Sequence, residues 1–376
     1  MTKDEYKTAI KNVIYLSSCA VKGEMPNRER VNGMNLAQLY FAAAKHQLVV
    51  AVAFALESAG VTDASFSQAK FMAIRKLMLM DADMNRLFTE MEQAGIWYMP
   101  LKGAVLKDDY PEFGMRQMAD RDILFDASRA EEVKSIMEGM GYTSKYFGSS
   151  DHDCYYKEPV YNFEMHRVLF GSNHEAKLQD YFRRVKSRLI KDDGKNYGYH
   201  FSPEDFYIYM IAHEYKHYTY SGTGLRSLLD TYVYLTKHEL DMGYVAKEVG
   251  KLGITDYEAC NRSLAMHLFR KERLSESERK MLHYIVYSGA YGTLDHFVGN
   301  TMKKKHWNTL DYVLNRFSVP VSKKNKNYTA YAVTYPFFYK HKIFLPLLPF
   351  YRAARAMKAG RFVSEAKAIR NAKRKP

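Results

Sequence analysis

The segment Ala119-Asp120-Arg121-Asp122-Ile123-Leu124-Phe125 sets two carboxylates two positions apart at the head of an apolar run. On a strand successive side chains alternate faces, so Asp120 and Asp122 share one face while Arg121, Ile123 and Phe125 take the other. Like charges held side by side are unfavourable unless a cation compensates them. Hard oxygen donors of this kind suit magnesium or manganese better than zinc. A third acid sits in Asn162-Phe163-Glu164-Met165-His166, where Glu164 and His166 share a face. If this strand pairs beside the first, the three carboxylates form a cluster able to hold two ions roughly 3.5–4 Å apart, and the chemistry is phosphoryl-type transfer. Taken alone Asp-x-Asp is a weak signal, because solvated turns carry it too.

A competing motif is His213-Glu214-Tyr215-Lys216-His217, which on a helix puts two imidazoles on one face beside a glutamate, as in zinc peptidases. The extended form of that motif fails here: Tyr220 stands where glycine is required and Thr223 where the third histidine is required.

The elements that must position these residues follow from periodicity. Residues 35–59 and Ser65 to Gly95 carry apolar positions at three-to-four spacing and predict two helices. Ile96 to Leu101 is a short aromatic and branched run, predicting a buried strand that stops at Lys102-Gly103. A brief helix over Ala104 to Asp109, a strand at Arg121 to Phe125 and a helix from Ser128 to Met140 capped by Ser128 come next. Strands are predicted at Tyr142 to Phe147, Cys154 to Lys157 and Val160 to Leu169. Helices return at 203–219, with Ser202 as cap and Pro203 in the first turn, and continue at 224–237, 243–252 and 256–269. Lys323 to Asn327 reads as an exposed loop and Ala353 to Lys373 as a basic terminal helix. The expected fold is α+β: a small mixed sheet with crossing helices, flanked by helical regions. Its expected divisions are a helical 1–90, a core 91–200, a helical 201–320 and a basic 321–376.

Strand, Lys-Gly turn, short helix, arginine, Asp-x-Asp strand, helix, then Asn-x-Glu-x-His strand is an order with a family character. The chain resembles the uncharacterised bacterial nucleotidyltransferases of the DNA polymerase beta-like superfamily. The resemblance includes Leu101-Lys102-Gly103 and extends to Ala42-Ala43-Ala44-Lys45-His46, His213 with His217, Arg226 with Leu228-Leu229-Asp230, and Leu345-Pro346 to Arg352. It implies that Asp120, Asp122 and Glu164 bind magnesium or manganese and carry catalysis. It places Lys102, Gly103 and Arg116 at the nucleotide, with a nucleoside triphosphate as substrate and its nucleoside monophosphate transferred to an acceptor hydroxyl. A sugar, another small molecule, a protein side chain or an RNA end are all acceptors of the right kind. Arg121 departs from the apolar residue usual between the two acids, and Ala119 replaces a common glycine; both changes bear on packing. A relative that binds nucleotide without catalysis is the third reading, beside the transferase and the peptidase.

Composition bounds the rest. A chain of 376 residues with 47% hydrophobic side chains and 31 Tyr can bury large cores and is not disordered. Three scattered cysteines give neither a disulfide framework nor a CxxC zinc site, which fits a reducing cytoplasm. Leu16-Ser17-Ser18-Cys19 lies behind an apolar run too short for export, and the longest apolar run, Leu48 to Leu56, is too short to span a bilayer. The net charge of +14 is concentrated: residues 301–376 hold 18 Lys and Arg against Asp311 and Glu365. A polyanion or an anionic membrane surface is the partner such a tail suits, and a solvated basic tail is the plainer reading.

Overall fold

Helical periodicity gives way to alternation near Ile96 and returns near Ser202, and the fold follows that change. The computed structural model describes residues 1–145, 147–159, 161–171, 174–322, 325, 328–358 and 361–374. Five helices precede the sheet: α1 (Lys3–Lys22), α2 (Arg28–Asn32), α3 (Leu36–Lys45), α4 (Val49–Ser58) and α5 (Ala64–Ala94). Their ends are set locally. Thr2 and Glu5 form a capping box on α1, and Asp63 caps α5, which Gly95 ends in the left-handed conformation.

The single helix predicted over 35–59 is in fact α3 and α4, broken at His46-Gln47-Leu48 with Gln47 at φ +56°. The cause is tertiary. His46 is fully buried, paired with the Tyr6 hydroxyl (3.1 Å) and accepting from the Leu225 N–H (3.2 Å), so the chain must turn to deliver its ring.

The sheet comprises β1 (Tyr98–Pro100), β2 (Arg121–Phe125), β3 (Thr143–Lys145), β4 (His152–Lys157) and β5 (Tyr161–His166), in spatial order β1-β2-β5-β4-β3. Only β2 and β5 run parallel. Between them the chain crosses through α7 (Ala130–Gly139) and the β3-β4 hairpin, while the short α6 (Gly103–Leu106) links β1 towards β2. One face of the sheet packs Ile123, Phe125, Phe163 and Met165 against Leu87 and Met91 of α5 and Val133 and Met137 of α7. On the opposite face Met99 and Leu124 join a larger apolar core that runs continuously through the flanking helices from Tyr6 to Val286.

After α8 (Ala176–Phe182) and a hairpin of β6 (Ile190–Lys191) and β7 (Tyr199–His200), the C-terminal helices begin. They are α9 (Pro203–Tyr220), α10 (Leu225–Lys237), α11 (Met242–Leu252), α12 (Thr255–Arg270) and α13 (Glu276–Ser288). Ser202 caps α9 and Pro203 occupies its first turn, as the sequence predicts. Then come α14 (Leu294–Lys305), α15 (Thr309–Phe317), α16 (Tyr328–Thr334), α17 (Pro336–Lys340), α18 (Leu348–Lys358) and α19 (Arg361–Arg374). The architecture is α+β, a small mixed sheet held between helical regions, and no helix among the described residues is long and apolar enough to cross a membrane.

Two further local expectations change and a third falls on residues that are not described. The helix after β2 is introduced by Asp126, whose carboxylate accepts from the Ser128 N–H; Ser128 is the capped residue and not the cap. The basic terminal helix expected over Ala353 to Lys373 is divided between α18 and α19. The loop expected at Lys323 to Asn327 lies outside the described residues except for Asn325.

Candidate active site

Parallel pairing of β2 with β5 sets Asp122 directly opposite Glu164 and Leu124 opposite His166. Paired residues on neighbouring strands point to the same face, so Asp122, Glu164 and His166 converge away from the α5/α7 side. β4 extends this face, with Cys154 opposite Glu164 and His152 opposite His166. Asp120 lies two positions before Asp122, half-buried at the mouth. Arg121 points the other way, as alternation requires. It is wholly buried and paired with Asp81 of α5, which accommodates a charge where the family resemblance implies an apolar residue.

The charges are arranged in tension. Lys102 Nζ lies 2.5 Å from Asp122 Oδ1 and His166 Nε2 lies 2.8 Å from the same oxygen. Although burial opposes it, these two partners hold Asp122 well below the usual carboxylate range. Lys102 is correspondingly held charged. Glu164 has weaker support, with His152 and His166 Nε2 3.6 and 3.7 Å from its Oε2, and burial, then Asp122 and Asp120, push it up to about 7. Asp120 is raised by the same combination of burial and Asp122, and its carboxylate makes no hydrogen bond or ion pair among the described residues. Burial pushes His166 down to about 4, so it is neutral near pH 7 and donates Nε2–H to Asp122.

The turn that delivers Lys102 is strained. Lys102 itself sits at φ +47°, and a Cβ on Gly103 would lie 2.3 Å from Arg116 Nη1 and 2.5 Å from Met118 Cε. A larger residue there would have to displace the Arg116 and Met118 side chains. The following loop is fastened on several sides: Lys76 of α5 donates to the Ala119 carbonyl (2.7 Å), and Arg226 of α10 donates to the Gln117 carbonyl (3.3 Å).

Helix α9 forms the opposite wall. Tyr209, His213, Lys216 and His217 fall on one side of it at helical spacing. Lys216 makes no ion pair among the described residues, and burial together with Lys102 lowers it to about 8. Arg226 stands near Asp120 and likewise has no carboxylate partner among the described residues. Sequence reading passed over Lys216, Arg226 as a site residue, and His152. For Lys216 a signal existed, since it shares the helix face of His213 and His217.

Other expectations are relocated. Arg116, expected at the nucleotide, is buried and fully engaged with Asp230 of α10, through Nε to Oδ1 and Nη2 to Oδ2, each 2.8 Å. Tyr110 donates to the same carboxylate at 2.7 Å. Arg116 is thus a strut between the loop and α10. Of the peptidase motif, His213 and His217 are adjacent (3.1 Å), yet among the described residues they belong to no group of three metal-ligating side chains. Glu214 lies buried among the C-terminal helices, pushed up to about 7 by desolvation.

The residues present fit a magnesium-type ion. Ligand atoms of Asp122, Glu164 and His166 lie within 4.8 Å of one another; Asp120 stands outside that group, though its charge acts on Glu164. The elevated Glu164 and Asp120 are the mark of carboxylates that a divalent cation would relieve. A second group, His152, Cys154 and Glu164, shares Glu164 with the first.

A family model described as an uncharacterised nucleotidyltransferase matches residues 32–270, a span that contains the sheet, the carboxylates, α9, α10 and α12. No curated protein and no solved structure matches the chain.

Proposed function

This chain belongs to the uncharacterised nucleotidyltransferase family, and we propose that it transfers a nucleoside monophosphate from a nucleoside triphosphate to an acceptor hydroxyl at the face of Asp120, Asp122 and Glu164. The observation that carries this reading is the register of β2 against β5, which brings Asp122 and Glu164 level on one face; Asp120 lies one residue before β2 and acts on Glu164 by its charge. Asp120, Asp122 and Glu164 would hold magnesium or manganese, which when bound neutralises phosphate charge and lowers the barrier to attack.

The chain's own groups divide the remaining work. Lys102 and His166 fix the Asp122 carboxylate in place. Lys216 and Arg226, cations without carboxylate partners among the described residues, bind the triphosphate oxygens from the helical wall. Through a carboxylate oxygen not taken by an ion, Glu164 would accept the proton of the attacking hydroxyl. The acceptor oxygen bonds to the α-phosphorus, the bond from that phosphorus to the bridging oxygen of the β-phosphate breaks, and pyrophosphate leaves. Closing α9 over the sheet face keeps water from competing with the acceptor.

Two variants test this. Asp122→Asn removes one charge from a site of unchanged shape and should weaken magnesium-dependent binding of a non-hydrolysable triphosphate by about a hundredfold. His217→Ala should leave that binding intact. Stoichiometric zinc that survives Asp122→Asn and is lost in His217→Ala would overturn the assignment.

A further inference from the structure

Beyond residue 270 the family match ends, and the chain changes character. Between Asp311 and Glu365 the sequence carries ten Lys and Arg and no acid. The structure shows what accompanies that charge. Segment 336–358 folds as α17, a 3-10 turn at Lys342–Leu347 and α18. Its inner side is anchored: Tyr339, Leu345 and Leu348 are buried in a small core with Val319, Tyr331 and Tyr335.

Its outer side is also apolar, and it faces solvent. Phe337, Ile343, Phe344, Leu347, Phe350 and Met357 are all exposed, Ile343 by 83% and Phe350 by 70%. Phe337 and Phe344 stack on each other at the surface with centroids 5.6 Å apart. Leu347, Phe350, Ala354 and Met357 follow one another at three-to-four spacing and form one stripe along α18. Lys340, Lys342 and Lys358 are exposed along the same segment and make no ion pair among the described residues, while Arg355 lines the groove that α18 shares with Glu365.

A helical segment apolar on both sides needs an environment for each, and among the described residues only the inner one is supplied. The inner core fixes which side points outward, so the exposed stripe is not a core awaiting collapse. We propose that this surface lies on an anionic lipid bilayer, with the apolar stripe seated at the headgroup boundary and the flanking lysines on lipid phosphates. Charge selects this occupant. A second copy would oppose the same basic surface to itself, and a nucleic acid would leave Ile343, Leu347 and Met357 in water. Because none of the helices among the described residues can span a bilayer, the association is peripheral. The inference concerns residues outside the matched family region and does not depend on the transferase reading.

The test is co-sedimentation of the full chain with vesicles of equimolar phosphatidylglycerol and phosphatidylcholine, against phosphatidylcholine alone. Wild type should pellet with the anionic vesicles and remain in solution with the others. The pair Ile343→Ser and Phe350→Ser should weaken binding roughly a hundredfold. Lys342→Gln with Lys358→Gln should weaken it about twenty-five-fold, from roughly fivefold per cation. All four substitutions are at exposed positions, so the melting temperature should hold and separate lost docking from lost folding. Wild type that ignores anionic vesicles, or binding indifferent to Ile343→Ser and Phe350→Ser, overturns the proposal. So does a single-stranded RNA, or a dimer formed by the chain itself, whose binding is lost with Phe350→Ser.

Discussion

Replacing Glu164 by glutamine should stabilise the protein while abolishing its response to magnesium and nucleotide. Glu164 ionises ordinarily near 4.5 and in the fold is pushed up to about 7 by burial and by Asp122 and Asp120. The folded state therefore holds this proton more tightly than the unfolded chain does. The corresponding stability is fully present below pH 4.5 and is lost as pH rises through about 7. The interval corresponds to about 3 kcal/mol, and partial solvent access at the cleft reduces it to about 2–3 kcal/mol. At pH 8 the wild type bears that cost and Glu164→Gln does not. For a chain of 376 residues unfolding as one unit, the unfolding entropy is roughly 0.8 kcal/mol/K, so the variant should melt about 3 °C higher. At pH 5, half a unit above the unfolded value, most of the difference is gone and about 1 kcal/mol should remain. Magnesium with a non-hydrolysable triphosphate, at a hundred times its Kd, should add about 2.7 kcal/mol to wild type and nothing to the variant. Differential scanning calorimetry at both pH values, with and without ligand, reads all four quantities. A variant no more stable than wild type at pH 8, or equally shifted at pH 5 and pH 8, would refute the claim that carboxylate repulsion is stored at this site.

Two further substitutions test the frame around the carboxylates. Gly103→Ala places a methyl against Arg116 Nη1 and Met118, and should lower stability by about 1–3 kcal/mol; unchanged calorimetry would show that the turn is not close-packed. Asp230→Asn leaves the Arg116 guanidinium buried without its counter-charge and should cost about 3–5 kcal/mol, whereas Arg116→Met combined with Asp230→Leu should recover much of the loss. If the double variant is as unstable as Asp230→Asn alone, the pair is not acting as the strut described.

What the sequence determined by itself was local. Alternation along β2 was enough to set Asp122 on the face opposite Arg121 and Ile123, because strand period depends only on adjacent backbone geometry; Asp120 falls one residue before the strand. Helix ends were legible at Ser202-Pro203 and Gly95 for the same reason, since caps are satisfied within a turn. The α+β arrangement followed from where one period replaced the other. Tertiary structure decided whatever joins distant positions. Asp122 and His166 are 44 residues apart and share a hydrogen bond only because β5 crosses back to lie parallel to β2. Arg116 was legible as a cation near the site, yet its partner Asp230 is 114 residues away, and only that contact turns it from the nucleotide into the core. The helical period of residues 35–59 was read correctly and the break within it was not, because His46 is drawn out of line by Tyr6 and by the Leu225 amide of a helix far along the chain. Lys216 belongs to the site for a similar reason: its own helix fixes which neighbours share its face, and only the packing of α9 over the sheet sets that face opposite Asp122 and Glu164. Periodicity is written in neighbouring side chains, whereas register and facing are settled by burial and charge balance summed over elements that the chain brings together only when it folds.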